Sequence, residues 1–303
     1  MIRIVKAGDR RIEKFNARPA FPEEAEKAAA QVLADIRRDG DKAVLAAVAK
    51  FEGFEATKAS QLKVDLARVS ADGIDPKIVR AVNDAHRRVL RFSKASLRKD
   101  WSMKTPRGGS AGEFFSPMDR VGVYIPGGTA PLASTSVMTV TLAKAAGVKE
   151  IVACTPAGRD GKVNPVLLYA LKLAGATEIY RVGGIQAIGL MAFGTKTCRK
   201  VQKIAGPGNA FVTAAKRQVY GYVAIDQVAG PSEIAVLTDG SVDVRWIAAD
   251  LPPRPSTVLA MRSRCASAHR RNRPRRSVLR SCARRRPCRA RRLCSASLTG
   301  TAF

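Results

Sequence analysis

From Arg120 to Asp239 short apolar runs alternate with longer amphipathic ones. The runs "RVGVYIPGG", "EIVACTP", "EIYRVGG", "KVQKIAGPG" and, at 233–239, "EIAVLTD" are too short for helices and read as strands. Between them, "STSVMTVTLAKAAGV", "NPVLLYALKLAG", "IQAIGLMAFG" and "NAFVTAAKRQVYG" carry helical spacing. Asn164 is placed to cap its helix, with Pro165 in the first turn. Apolar strands separated by helices have few solutions: β-α-β units winding a parallel sheet that is covered on both faces. In such sheets ligands bind beyond the carboxyl ends of the strands, where the Gly-rich turns of this chain fall.

Upstream, "PEEAEKAAAQVLADIRRDG" opens with Pro and acids and closes with Gly, and "DKAVLAAVAKFEG" repeats the form; 22–51 therefore reads as two helices. Residues 75–98 predict a long amphipathic helix with Ile78, Val79, Val82, Val89, Leu90 and Phe92 on its apolar side. His86 lies on that helix beside Arg87 and Arg88 and reads as a solvated surface histidine.

Three turns are more specific than their glycines. "VYIPGGTAPLAST" presents Tyr124 at a strand end before a helix start, where backbone N–H groups can meet a phosphate or a ring. "VGGIQAIGLMAFGT" places Gln186 just after a Gly pair, and "IAGPGNAFVTAAKRQV" places Asn209 at a strand-to-helix junction. Singly, Gln186 reads as an exposed first-turn residue and Asn209 as a helix cap; together the three fall on one edge of one sheet. Neither a strict G-x-G-x-x-G nor a P-loop is present: "GPGNAF" has Phe211 where a third Gly would stand.

The motifs "RVGVYIPGGTAPLASTSVMT", "VGGIQAIGLMAFGT", "KIAGPGNAFVTAAKRQVYG" and "IDQVAGPSEIAVLTD" resemble the histidinol dehydrogenases, in the same order, and the resemblance runs to about Leu251. It implies an NAD-dependent, zinc-dependent homodimer of histidine biosynthesis that oxidises L-histidinol to L-histidine through the aldehyde. Tyr124, Gln186 and Asn209 match the family's NAD-contacting residues, and Ser232 matches its substrate-contacting Ser. The resemblance also implies two Rossmann-like parallel-sheet units, the second inserted in the first. The expected boundaries are an N-terminal arm at 1–20, a first α/β unit at 21–118 plus 233–251, left incomplete, and a second at 119–232 carrying the NAD-contacting loops.

Beyond Leu251 the family pattern continues with a Gln-Ala-Glu-His segment supplying two zinc ligands, then a Glu-His pair of bases and further zinc ligands. Here "LPPRPSTVLAMRSRC" stands instead. Composition breaks at the same place. Residues 251–303 hold 15 Arg and no Lys, Asp or Glu; residues 1–250 hold 38 basic and 25 acidic residues, a net of +13 out of the chain's +28. Were Leu251–Thr257 encoded CTG CCG CCC AGG CCG AGC ACG, one G inserted after the first codon would restore Leu-Ala-Ala-Gln-Ala-Glu-His. GC-rich DNA read out of frame yields Arg, Ala, Pro, Ser and Cys. Residues 252–303 are therefore expected to be a frameshifted, disordered Arg-rich tail, leaving no zinc ligand and no catalytic base in this chain.

Two other readings stand beside this one. The body would serve as a non-catalytic nucleotide-binding remnant, or the Arg-rich tail would bind nucleic acid nonspecifically with a steep salt dependence. Cys154 and Cys198, far apart in the body, read as free thiols of a reducing compartment; Cys265, Cys282, Cys288 and Cys294 of the tail match no common zinc spacing. "MIRIVKAGDRRIEKF" lacks the apolar core of a signal peptide and no apolar run is long enough to span a bilayer, so the expected compartment is the cytoplasm and no membrane partner is expected.

Overall fold

The computed structural model describes residues 21–127 and 132–229, Arg10, Asp243 and Trp246, and the backbone of strands 234–238 and 264–268. The chain divides into two compact units, Phe21–Ala229 and the terminal segments Met1–Ala20 with Gly230–Phe303.

The central unit is built on the alternating segments. Its strands β3 (Arg120–Tyr124), β4 (Glu150–Thr155), β5 (Glu178–Arg181), β6 (Lys203–Ala205) and β7 (Ala224–Ile225) form one parallel sheet in the order β5-β4-β3-β6-β7. The helices are α1 (Glu23–Asp39), α2 (Asp41–Glu52), α3 (Pro76–Ala95), α4 (Ala133–Ala145), α5 (Pro165–Ala174), α6 (Gly184–Phe193) and α7 (Ala210–Val219). The α/β fold with a parallel sheet is the one the alternation demanded. Strand order reverses at β3: the chain winds outward through β4 and β5, then returns to lay β6 on the other side of β3.

Because side chains alternate along a strand, each strand feeds two cores. Tyr124, Val152, Cys154 and Tyr180 point to the face covered by α6 and α7, where Ile188, Leu190, Met191, Val212 and Ala215 meet Leu33 and Ile36 of α1. Val121, Val123, Ile151, Ala153 and Ile179 point to the opposite face, beneath Val140 of α4 and Leu167 and Leu171 of α5. Fully burying each such aliphatic side chain contributes about 1.5–3 kcal/mol before conformational entropy is set against it. Asn164 caps α5 as expected, its side chain accepting from the Val166 N–H at 2.9 Å, and Asp75 caps α3 in the same way. Cys154 and Cys198 are buried free thiols.

Two upstream features differ from expectation. Helix α3 packs outside α4 and α5 through Val82, Val137 and Ala170, with Asn83 donating to the Tyr169 hydroxyl at 2.8 Å. Of its expected apolar positions only Val82 is buried; Ile78 and Phe92 are exposed, because the helix rests on two neighbours along a narrow line. On the same helix His86 is half-buried, and burial lowers its pKa. The second feature is a hairpin of β1 (Trp101–Lys104) and β2 (Ser110–Glu113), paired antiparallel with every residue exposed, which the sequence did not announce.

In the other unit the expected strand at 233–239 is present as β8 (Ile234–Thr238), paired in parallel with β9 (Arg264–Ala268). Apart from β9, the expected tail at 252–303 lies outside the described residues. No helix among the described residues is long and apolar enough to cross a membrane.

Candidate functional site

The carboxyl ends of β3, β5 and β6 carry the three turns singled out above. Tyr124 ends β3 and is buried, its hydroxyl accepting the Gly184 N–H at 3.2 Å. Burial, reinforced by the nearby Glu52 charge, pushes the phenol up to about 12, so it stays neutral at physiological pH.

Gln186, expected on a solvated first turn if it served no ligand, is instead buried, because α6 lies between the sheet and helices α1 and α2. Its Nε2 donates to Glu52 Oε1 at 2.8 Å, and the same oxygen accepts the Gly183 N–H at 2.9 Å. Glu52, the last residue of α2, was not among the residues singled out from sequence. It lies 131 positions before Gly183, and only the fold brings them together. Burial raises its carboxyl above the usual range, outweighing the Gly183 and Gln186 donors. Glu52 also lines a cavity of about 400 Å³ with Lys50, Phe51, Gly53 and Arg159.

Asn209 is exposed and caps α7, its Oδ1 accepting the Val212 N–H at 3.0 Å. The turn before it is held against β3. Gly206 has φ +124°, and a Cβ there would stand 2.1 Å from the Tyr124 carbonyl oxygen, so no other residue fits. A Cβ at Gly183 would meet Pro156 at 2.6 Å, so the turns after β4 and β5 are equally close. The β3 and β6 turns flank the point where strand order reverses, which is where open α/β sheets place their ligands. Thus the structure brings Tyr124 and Gln186 together through Glu52 and the Gly183–Gly184 backbone, and sets the Asn209 turn against Tyr124. Ser232 lies outside the described residues.

Of the six buried side-chain polar atoms without a hydrogen bond among the described residues, three lie at this edge and three on α1 and α4. Glu52 Oε2, Thr155 Oγ1 and Arg181 Nε are all at or beside carboxyl strand ends. Close backbone approach, two amides, a neutral phenol and these unsatisfied atoms fit a ligand with a planar ring and hydroxyl or amide groups, as a dinucleotide has. Among the described residues no group of three or more His, Cys, Asp or Glu could hold a metal, so they do not fit zinc. A larger cavity, about 670 Å³, lies at the opposite edge between Lys200–Gln202 and Tyr220–Ala224, away from all the residues above.

A doubly wound parallel sheet with ligand-type side chains gathered at its switch point defines an open α/β protein. Within that class, the histidinol dehydrogenase family model matches residues 17–253. The chain is 42% identical over 236 residues to the histidinol dehydrogenase of Symbiobacterium thermophilum, covering 77% of this chain and 54% of that protein. To that of Gluconobacter oxydans it is 42% identical over 226 residues, covering 73% and 51%. The crystal structure of histidinol dehydrogenase from Elizabethkingia anophelis superimposes with a TM-score of 0.77 at 32% identity, over 92% of this chain and 63% of that one. This chain belongs to the histidinol dehydrogenase family. It spans about half the length of the curated relatives it matches.

Proposed function

We propose that this chain carries the NAD-contacting unit of a histidinol dehydrogenase, an enzyme that oxidises L-histidinol to L-histidine through the aldehyde, as a cytoplasmic homodimer in histidine biosynthesis. The observation that supports this best is the gathering of Tyr124, Gln186 and the Asn209 turn at the carboxyl edge of the sheet, around its switch point. In this reading the buried phenol and the two amides orient the dinucleotide, and the tight Gly turns let its backbone-facing groups approach. When bound, the nicotinamide supplies the hydride acceptor. Ser232 contacts the substrate.

Zinc belongs to the family enzyme, but the described residues offer it no cage, and residues 252–303 hold no counterpart of the family's zinc-ligand and base segment. The family match ends at residue 253, two positions past Leu251, which supports a reading frame lost there. The 303-residue chain is therefore proposed to bind NAD⁺ and to turn histidinol over negligibly, even with zinc added.

Calorimetric titration of NAD⁺ into the 303-residue chain, beside an assay of histidinol-dependent NADH formation, tests both parts. Binding without turnover is the expected result. No binding would remove the cofactor reading, and steady NADH production would remove the claim of inactivity. Sequencing the coding DNA across codons 248–258 tests the frameshift: one additional base there restores the family segment and makes the tail an artefact, an unchanged frame places the one-base loss in the gene itself, and codons that do not spell the family segment in the shifted frame refute it.

A further inference from the structure

Lys216 lies in α7 and is only 3% exposed, although lysine is almost never buried unless paired. Its Nζ forms an ion pair with Asp226, which directly follows β7, and donates to the Gly206 carbonyl oxygen at 2.9 Å. The other carboxylate oxygen of Asp226 accepts the Gly206 N–H at 2.9 Å. One residue thus has its N–H held by a carboxylate and its C=O held by an ammonium, and these two charges hold each other. Burial works against ionisation of Asp226, but the bonds from Lys216, Gly206 and Gln227 outweigh it and lower its pKa, so its carboxyl stays ionised.

Such a pair is a poor device for stability alone. Desolvating two charges offsets most of their attraction, and apolar replacements of similar volume commonly serve the fold as well. What an ion pair supplies here, and an apolar contact cannot, is a fixed orientation for the two peptide groups on either side of Gly206. Gly206 sits at the switch point, against Tyr124, three residues before Asn209.

We propose that Lys216 and Asp226 are positioning residues of the dinucleotide site: they clamp Gly206 so that the 206–209 turn is preorganised to receive the cofactor. The inference rests on the cofactor reading above. Because a preorganised turn has already met its ordering cost, releasing the clamp lowers affinity without removing any ligand contact.

The test uses the 303-residue chain and the double variant K216M/D226L, which replaces both charges with apolar side chains of similar size. Three quantities are measured: NAD⁺ affinity by calorimetry, thermal unfolding without ligand, and hydrogen exchange at the Gly206 amide. The expected result is a near-unchanged unfolding temperature, about tenfold weaker NAD⁺ binding and faster exchange at Gly206. Should the double variant fail to fold, D226N replaces it; it keeps an acceptor near Gly206 and is expected to weaken binding about threefold. A folded variant with unchanged NAD⁺ affinity overturns this inference alone. No NAD⁺ binding by the unaltered chain overturns the cofactor reading, and this inference with it.

Discussion

The two edges of the central sheet use polar groups in opposite ways. At the amino edge Arg120, Glu150 and Glu178 open three neighbouring strands. Arg120 is 5% exposed and donates to both carboxylates at 2.6 Å and to the Arg199 carbonyl at 3.2 Å. Arg199 bonds Glu150 at 2.5 Å, and the Tyr180 hydroxyl donates to Glu178 at 2.6 Å. None of these side chains has a buried atom left without a partner. At the carboxyl edge Glu52 Oε2, Thr155 Oγ1 and Arg181 Nε are left unsatisfied, and the turns are built from glycine and proline. A satisfied network fixes strand register; an edge that tolerates unpaired groups and close backbone approach is one on which a ligand can act.

The comparison is most exposed to failure at Arg120. Replacing it with Met takes the buried guanidinium from Glu178, whose side chain is 18% exposed, while Glu150 keeps Arg199, and the expected cost is about 3 kcal/mol in urea unfolding. A loss under 1 kcal/mol would mean the network is ornamental. Gly206→Ala comes next: its Cβ would collide with the Tyr124 carbonyl at an unfavourable φ, at a cost of about 2 kcal/mol. NAD⁺ affinity should fall with it; retained affinity would separate the turn from the site. Asn209→Ala removes a cap worth about 1 kcal/mol and should also weaken NAD⁺ binding several-fold. If the stability loss appears without any loss in affinity, Asn209 is a cap and nothing more.

The smallest effect is a difference of sign with pH. Burial raises the pKa of Glu178, but bonds from Arg120, Tyr180 and Lys63 outweigh it and bring it to about 2, against an ordinary 4.5. Its contribution is present above 4.5 and is lost as pH falls toward 2. Glu52 is shifted upward, so its contribution is present below 4.5 and is lost as pH rises through its raised value. Urea unfolding from pH 3 to 7 should therefore show Glu52→Gln flattening only the decline above 4.5. A variant whose profile overlays the unaltered chain would show that the Glu52 shift carries no weight in folding.

Most of the sheet was legible because the signal was local: each strand is one apolar run and each helix one periodic run. The site was legible only in part. Tyr124, Gln186 and Asn209 each follow a strand, so their shared edge could be read from the order of elements. What Gln186 touches could not, since its partner is carried by α2 and depends on how that helix crosses α6. The Arg120 network left a trace in the text, a charged residue opening "RVGVY", "EIVACT" and "EIYR", but pairing it needed the register of β3 on β4 and of β4 on β5. The β1–β2 hairpin lacked the β-branched alternation that marks strands, and its turn depends on Arg107 at φ 71°, which residue type does not announce.

The reversal of strand order also sets a timetable. The chain leaves the ribosome amino end first, so β3 finds β4 once residue 155 has emerged, while its other side stays bare until β6 at 203–205 is made. At synthesis rates of about 5–20 residues per second, those fifty or so residues leave the central strand one-sided for roughly 3–10 s. During that interval Val121 and Val123 have partners on one side only. The strand destined to carry Tyr124 to the site is thus open along one side to a neighbouring nascent chain for that interval, and slower translation across 156–205 should raise the share of aggregated product.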